Sequence, residues 1–112
     1  MKIAIPMTAE AGSLKKLPKR GPMKIELDFF MNGLRPDGSI DISDKDDMDL
    51  YNILKKLGIG LKLLEFEGPG GGNPLVELHG TKKALTEYIR RYYLEGSNQE
   101  DIDEFLSFIE KA

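Results

Sequence analysis

The sequence predicts an α+β domain: an antiparallel sheet of three to four strands, two helices on one face, and a C-terminal helix. Three observations lead there. Residues 23–31 alternate, with Ile25, Leu27, Phe29 and Met31 apolar and Lys24, Glu26 and Asp28 charged, which is the period-2 mark of a strand with one wet face. Two later segments repeat apolar residues at i, i+3, i+4 and i+7, the stripe of an amphipathic helix. They are Leu50, Ile53, Leu54, Leu57 and Ile102, Phe105, Leu106, Ile109. Between them, two short aliphatic runs flank a glycine-rich connection, EGPGGGNP, which reads as a hairpin.

Taken in order, residues 1–22 form a basic extended arm, rich in Gly, Pro and Lys and without sustained periodicity. The single domain then spans 23–112. RPDG at 35–38 suits a type I turn, with proline second and glycine fourth. The SIDI after it could return as a strand, making 24–42 a hairpin.

Ser43 is placed to cap the next helix, with Asp44, Asp46 and Asp47 near its positive end and Gly58 closing it. Strands follow at about 61–67 and 74–79. The register expected between them sets Phe66 opposite Val76 and Leu64 opposite Leu78. Thr81 caps a second helix with Leu85, Tyr88, Ile89 and Tyr92 inward, and Gly96 ends it. Ser97 with Glu100 reads as a capping box for the last helix.

A chain of 112 residues, 40% hydrophobic and 31% charged, fits one ordinary globular domain. Without cysteine, disulfides, thiolate metal sites and cysteine nucleophiles are excluded. No apolar run reaches the roughly 18 residues of a membrane span, and the expected location is the cytoplasm. The net charge of −3 hides an asymmetry: residues 1–24 carry six basic side chains against Glu10, whereas the remaining 88 carry 10 basic and 18 acidic ones. A basic arm on an acidic body is the pattern of an interaction tail.

Candidate chemistry is sparse. The glycine run lacks the lysine and Ser/Thr of a phosphate loop and leads into a strand, not a helix. In the expected register, Glu65 faces Glu77 with Glu67 and His79 on the same outer side, a set able to bind a divalent cation or to exchange protons. Such carboxylates far more often simply face water. DISDKDDMD at 41–49 lacks the glycine and closing glutamate of a calcium loop. With one histidine and no G-x-S-x-G, no catalytic residue, metal or cofactor is expected.

Two binding readings follow. The leading one is a non-catalytic adaptor or inhibitor engaging a protein partner through Lys15, Lys16, Lys19 and Arg20 of the arm and Gly70, Gly71, Gly72 and Asn73 of the loop. The alternative is nucleic-acid binding through the arm and the helix surface of Arg90, Arg91 and Tyr93, since arginines beside aromatics suit phosphates and stacked bases. Against it, an acidic body repels polyanions. Self-association through a strand edge, or through Phe105 and Phe108, is a further expectation, and the N-terminal IAI is a candidate partner for strand 24–31.

The run EGPGGGNPLVELHGTKKALTEYIRRYY, residues 67–93, resembles stretches in small uncharacterised proteins of large tailed bacteriophages. They have a glycine-rich turn, a V-E-L type strand, Gly-Thr and a helix ending in tyrosines. The resemblance implies a virus-encoded accessory protein acting in the host cell, and it assigns no catalytic residue.

Overall fold

The computed structural model of the protein describes residues 14–67 and 71–112. Strands β1 (Leu14–Lys15), β2 (Met23–Asp28) and β3 (Ile40–Asp41) precede helix α1 (Lys45–Leu57). Strands β4 (Gly60–Glu65) and β5 (Leu75–Gly80) lead into α2 (Lys82–Tyr88), which continues as a π-helical turn over Ile89–Tyr93. Helix α3 (Gln99–Leu106) and strand β6 (Glu110–Lys111) complete the chain. The architecture is α+β, with a four-stranded sheet ordered β4-β5-β2-β6 and a two-stranded sheet of β1 and β3. Every pairing is antiparallel.

The alternation in β2 does what its period requires. Ile25 lies opposite Leu78 and Leu27 opposite Val76, and all four are buried. Helix α2 lies against β5 and β2, and α1 packs on α2 and β3. Leu54, Leu85 and Ile89, wholly buried, close the helical side of the core.

β2 does not form a hairpin with β3. The strand ends at Asp28, although the Phe29 amide still donates to the Pro74 carbonyl at 2.9 Å. A turn then follows, with the Leu34 amide on Met31 O at 3.1 Å. The RPDG turn forms as expected, with the Gly38 amide on Arg35 O at 2.8 Å. The strand it produces pairs with the arm instead, Lys15 opposite Ile40 and Leu14 opposite Asp41. The described part of the arm is thus laid on the body: Leu17 is buried in the core, and the Leu61 amide donates to Pro18 O at 2.7 Å. The IAI segment lies outside the described residues. β2 is flanked by β5 on one edge and, over Met23 and Lys24, by β6 on the other.

Two caps fall one residue later than expected. Asp44, not Ser43, caps α1 by accepting from the Asp46 amide, while the Ser43 amide donates to the Asp41 carboxylate at 3.0 Å. Asn98, not Ser97, caps α3 by accepting from the Asp101 amide at 2.8 Å, since Ser97 closes the preceding turn on Leu94 O. Thr81 caps α2 as its sequence requires, and Gly58 takes the left-handed conformation (φ 73°) after α1.

Asp47 is the exception among the acids at the start of α1. It is buried, and its carboxylate accepts from the Gly33 amide. Burial, and then Asp44, push its pKa above the ordinary carboxylate value, with Asp46 and Asp41 adding to the rise against that hydrogen bond. A folded-state pKa that is raised means stability falls as pH climbs from the usual carboxylate range through the raised value. Asp47→Asn keeps an acceptor for Gly33 and removes the charge. Its melting temperature should exceed that of the parent at neutral pH, and the gain should vanish below the carboxylate range. A thermal melt series across pH checks both ends.

Candidate nucleic-acid interface

The outer sheet face does not assemble the acidic group that the sequence grouped. Leu63 pairs with Val76 and Leu61 with Leu78, so the register is slipped by three residues from the expected one. Lys62, not Glu65, therefore lies opposite Glu77, while Glu65 pairs with Leu75 beyond a bulge. His79 is buried, with Nε2 3.0 Å from Glu77 Oε1, and Lys24 Nζ is 3.6 Å from the other Glu77 oxygen. Burial raises the Glu77 pKa, but the His79 hydrogen bond and Lys24 outweigh it and hold the carboxyl below its usual value. The arrangement is a chain in which Glu77 is hydrogen-bonded to His79 and ion-paired with Lys24, and among the described residues no group of three or more His, Asp or Glu could hold a metal.

Lys19 and Arg20 of the arm and the described residues of the glycine loop lie at opposite ends of β5. Lys19 and Arg20 line a groove with Gly21 and His79, at the Gly80 end of β5. Gly71 (φ 78°), Gly72 and Asn73 are exposed beyond the Leu75 end, and Gly70 lies outside the described residues. Five strand steps separate the two ends, about 17 Å.

The helical side of the molecule carries a cluster of cations. The α2 sequence places Lys82, Lys83, Arg90 and Arg91 outward because Ala84, Leu85, Tyr88 and Ile89 are committed to the core. These four cations line an open groove of about 550 Å³ with Thr86 and Glu87. Glu87 and Arg91 also border a second groove of about 300 Å³, which runs to Asn52, Lys56 and Tyr92. Lys55, next to Lys56 on the last turn of α1, lines a third with Lys16 of the arm and Tyr51. Glu87 is the acid lining these grooves, and its carboxylate already accepts from Arg91 at 3.3 Å.

The acids lie elsewhere. Asp44, Asp46, Asp47 and Asp49 crowd the opposite end of α1, and Glu100, Asp101, Asp103 and Glu104 occupy α3 and its first turn. Asp49, the nearest of the α1 acids, is seven residues from Lys56, about 10 Å along the axis, and is paired with Lys45 at 2.7 Å. That axial separation exceeds a Debye length of about 8 Å at physiological ionic strength, so the acidic end is largely screened from the basic one.

Of the residues assigned to the helix surface from sequence, Arg90 and Arg91 stand there and Tyr93 does not. The Tyr93 hydroxyl donates to the Asp28 carbonyl at 2.6 Å, and its ring packs on Phe105 at a centroid distance of 5.4 Å. Tyr92, expected inward, is 41% exposed. The cause is the π-helical turn, in which the Leu94 amide reaches back five residues to Ile89 O at 2.8 Å. A wider turn rotates the following residues relative to a 3.6-residue period, and Tyr93 takes the inward place that regular spacing gives Tyr92. Consecutive aromatics at a helix end are the signal that either phase was open.

No family model, no curated protein and no solved structure matches the chain. Among the described residues no helix is long and apolar enough to cross a membrane.

Proposed function

We propose that the protein is a non-catalytic nucleic-acid-binding protein whose contact surface is the basic strip along α2 and the end of α1. The observation that carries this reading is the segregation of charge. Although the chain is net negative, Lys56, Arg91, Arg90, Lys83 and Lys82 border adjoining grooves whose acid, Glu87, is already paired. The sequence argument against a polyanion ligand rested on the charge of the whole body. A ligand samples the local field, which is screened beyond about 8 Å at physiological salt. Lys16 lines a separate groove with Lys55, Lys19 and Arg20 face another, and none of these is counted in the strip. In this reading the protein acts in the cytoplasm, and the likeness of residues 67–93 to phage proteins is consistent with a virus-encoded factor.

Binding of a labelled 20-nucleotide oligo(dT), followed by anisotropy across a salt series, is the test. Engagement of about four cations predicts a slope of log Kobs against log salt near −3. A salt-independent signal, or no binding at 50 mM salt, would sink the proposal.

A protein partner is the second reading, and one observation favours it. Phe30 (67% exposed) and Phe66 (42%) flank the glycine-loop end of the sheet, where exposed aromatics are the usual anchors of an interface. A partner captured from lysate that survives nuclease and is lost in Phe30→Asp would move the conclusion there.

A further inference from the structure

The basic strip contains one feature that phosphate binding does not use. Tyr92 lines the groove between Lys56 and Arg91, yet it is 41% exposed while Tyr88 (3%) and Tyr51 (7%) are buried. Its ring is not loose on the surface. Tyr88 stacks beneath it, with centroids 6.1 Å apart and planes at 26°. Tyr88 is in turn fixed in the core and packed 6.2 Å from Tyr93, whose hydroxyl is tied to the Asp28 carbonyl. The π-helical turn creates this arrangement, sending one of two consecutive tyrosines inward as an anchor and the other into the groove. Such turns recur at functional positions, where a regular helix would give both residues other directions.

We infer that the strip takes single-stranded nucleic acid, with Tyr92 as the platform on which one base stacks while Lys56 and Arg91 hold the flanking phosphates. This deepens the proposed function and rests on it. The physical reason lies in what each form of nucleic acid exposes. In a duplex the base faces are covered by their neighbours, so an aromatic ring in a phosphate-binding groove gains nothing. In a single strand each base has a free π-face, and stacking on an aromatic side chain tolerates any sequence.

The test compares a 12-nucleotide oligo(dT) with a 12-base-pair duplex at 50 mM salt, using the parent, Tyr92→Leu, Tyr92→Phe and Arg91→Glu. The chain has no tryptophan and four tyrosines, so intrinsic emission reports tyrosine alone, and base stacking on Tyr92 should quench it. The expected result is preference for oligo(dT), a loss of about tenfold in Tyr92→Leu on oligo(dT) only, and recovery in Tyr92→Phe, within the range of one stacked base. The quench should disappear in Tyr92→Leu even at saturating oligonucleotide. If duplex and single strand bind alike and Tyr92→Leu matches the parent while Arg91→Glu weakens both, the stacking inference is overturned and the basic strip stands. If neither probe binds, both fall. Because Tyr92 is partly exposed and Leu keeps an apolar contact for Tyr88, a thermal melt should show each variant folded.

Discussion

Gly33→Ala should cost about 3 kcal/mol of folding stability, the upper part of the range for forcing atoms into filled space. The glycine is not there for an unusual backbone angle, since it is absent from the positive-φ residues. It is there for room. A Cβ at this position would lie 2.0 Å from the Asp41 carbonyl oxygen, 3.0 Å from its carbonyl carbon and 2.9 Å from Asp47 Oδ2. Two of those three atoms are backbone, and the same carbonyl region is fixed by the Asp41 amide on Gly33 O at 2.8 Å. Relief requires the turn at 31–34 to leave β3, which would disturb the buried Met31, Leu34 and Ile40 together. At this chain length 3 kcal/mol corresponds to a fall in Tm of about 12 °C. Gly38→Ala is the matched comparison. Gly38 has φ 87° and nothing within 4 Å of a new Cβ, so only the left-handed backbone penalty of about 1–2 kcal/mol applies. Urea denaturation of the two variants separates crowding from strain, and a cost below 1 kcal/mol at Gly33 would show that the turn yields freely.

Charge reversal at the centre of the strip carries the second large effect. Lys56→Glu with Arg91→Glu should weaken oligo(dT) binding about 100-fold at 50 mM salt. Each single-strand phosphate contact releases about 0.7 of a counterion, so two lost contacts account for roughly 60-fold there. Repulsion from the new carboxylates supplies the remainder, helped by Glu87, which loses its Arg91 partner. The salt slope should fall by about 1.4 at the same time. Both residues are exposed, and the expected stability cost is small, about 1 kcal/mol, from an acid at the C-terminal turn of α1 and one lost i,i+4 pair. Reversing Lys19 and Arg20 instead, on the groove beside His79, should change affinity less than threefold. Equal losses from the two pairs of substitutions would mean that net charge alone governs binding and that the strip has no special place.

The elements were legible because their patterns had one solution. β2 alternates without a break, and α1 has a single apolar stripe bounded by acids and Gly58. The hairpin register was not legible, for a physical reason. In LKLLEF, Leu61 and Leu63 or Leu64 and Phe66 can serve as the inward pair, and a slip by an odd number of residues exchanges the two faces of a strand. The structure takes the first choice and leaves Phe66 exposed. The π-helical turn was invisible to a 3.6-residue count, and it moved Tyr93 out of the candidate site and Tyr92 into it. The pairing of β3 with β1 depends on a contact between distant segments that no local pattern encodes. Within the site, the arginines were identified from sequence as a pair. Their companions Lys56, Lys82 and Lys83 come from other turns and another helix, and only the packing of α1 on α2 makes them neighbours.

The seat of Pro18 on β4 has a consequence for self-association. β4 ends the four-stranded sheet, and a terminal strand offers its unpaired amides and carbonyls to any extended chain. Here the molecule occupies the first of those positions itself: Pro18 O takes the Leu61 amide, and it lies so close to Gly60 that a Cβ there would sit 2.2 Å from it. Further along, the outer-face Lys62 and the bulge between Leu63 and Glu65 make the remaining edge a poor template. A chain beginning at Met23 would lose the Pro18 cover and the Leu17 anchor at once, and would present a vacant strand edge beside a hole in its core. Such a chain would be prone to recruit a second copy in place of its own missing segment, so the basic arm acts, besides any ligand, as the plug that keeps the sheet from growing.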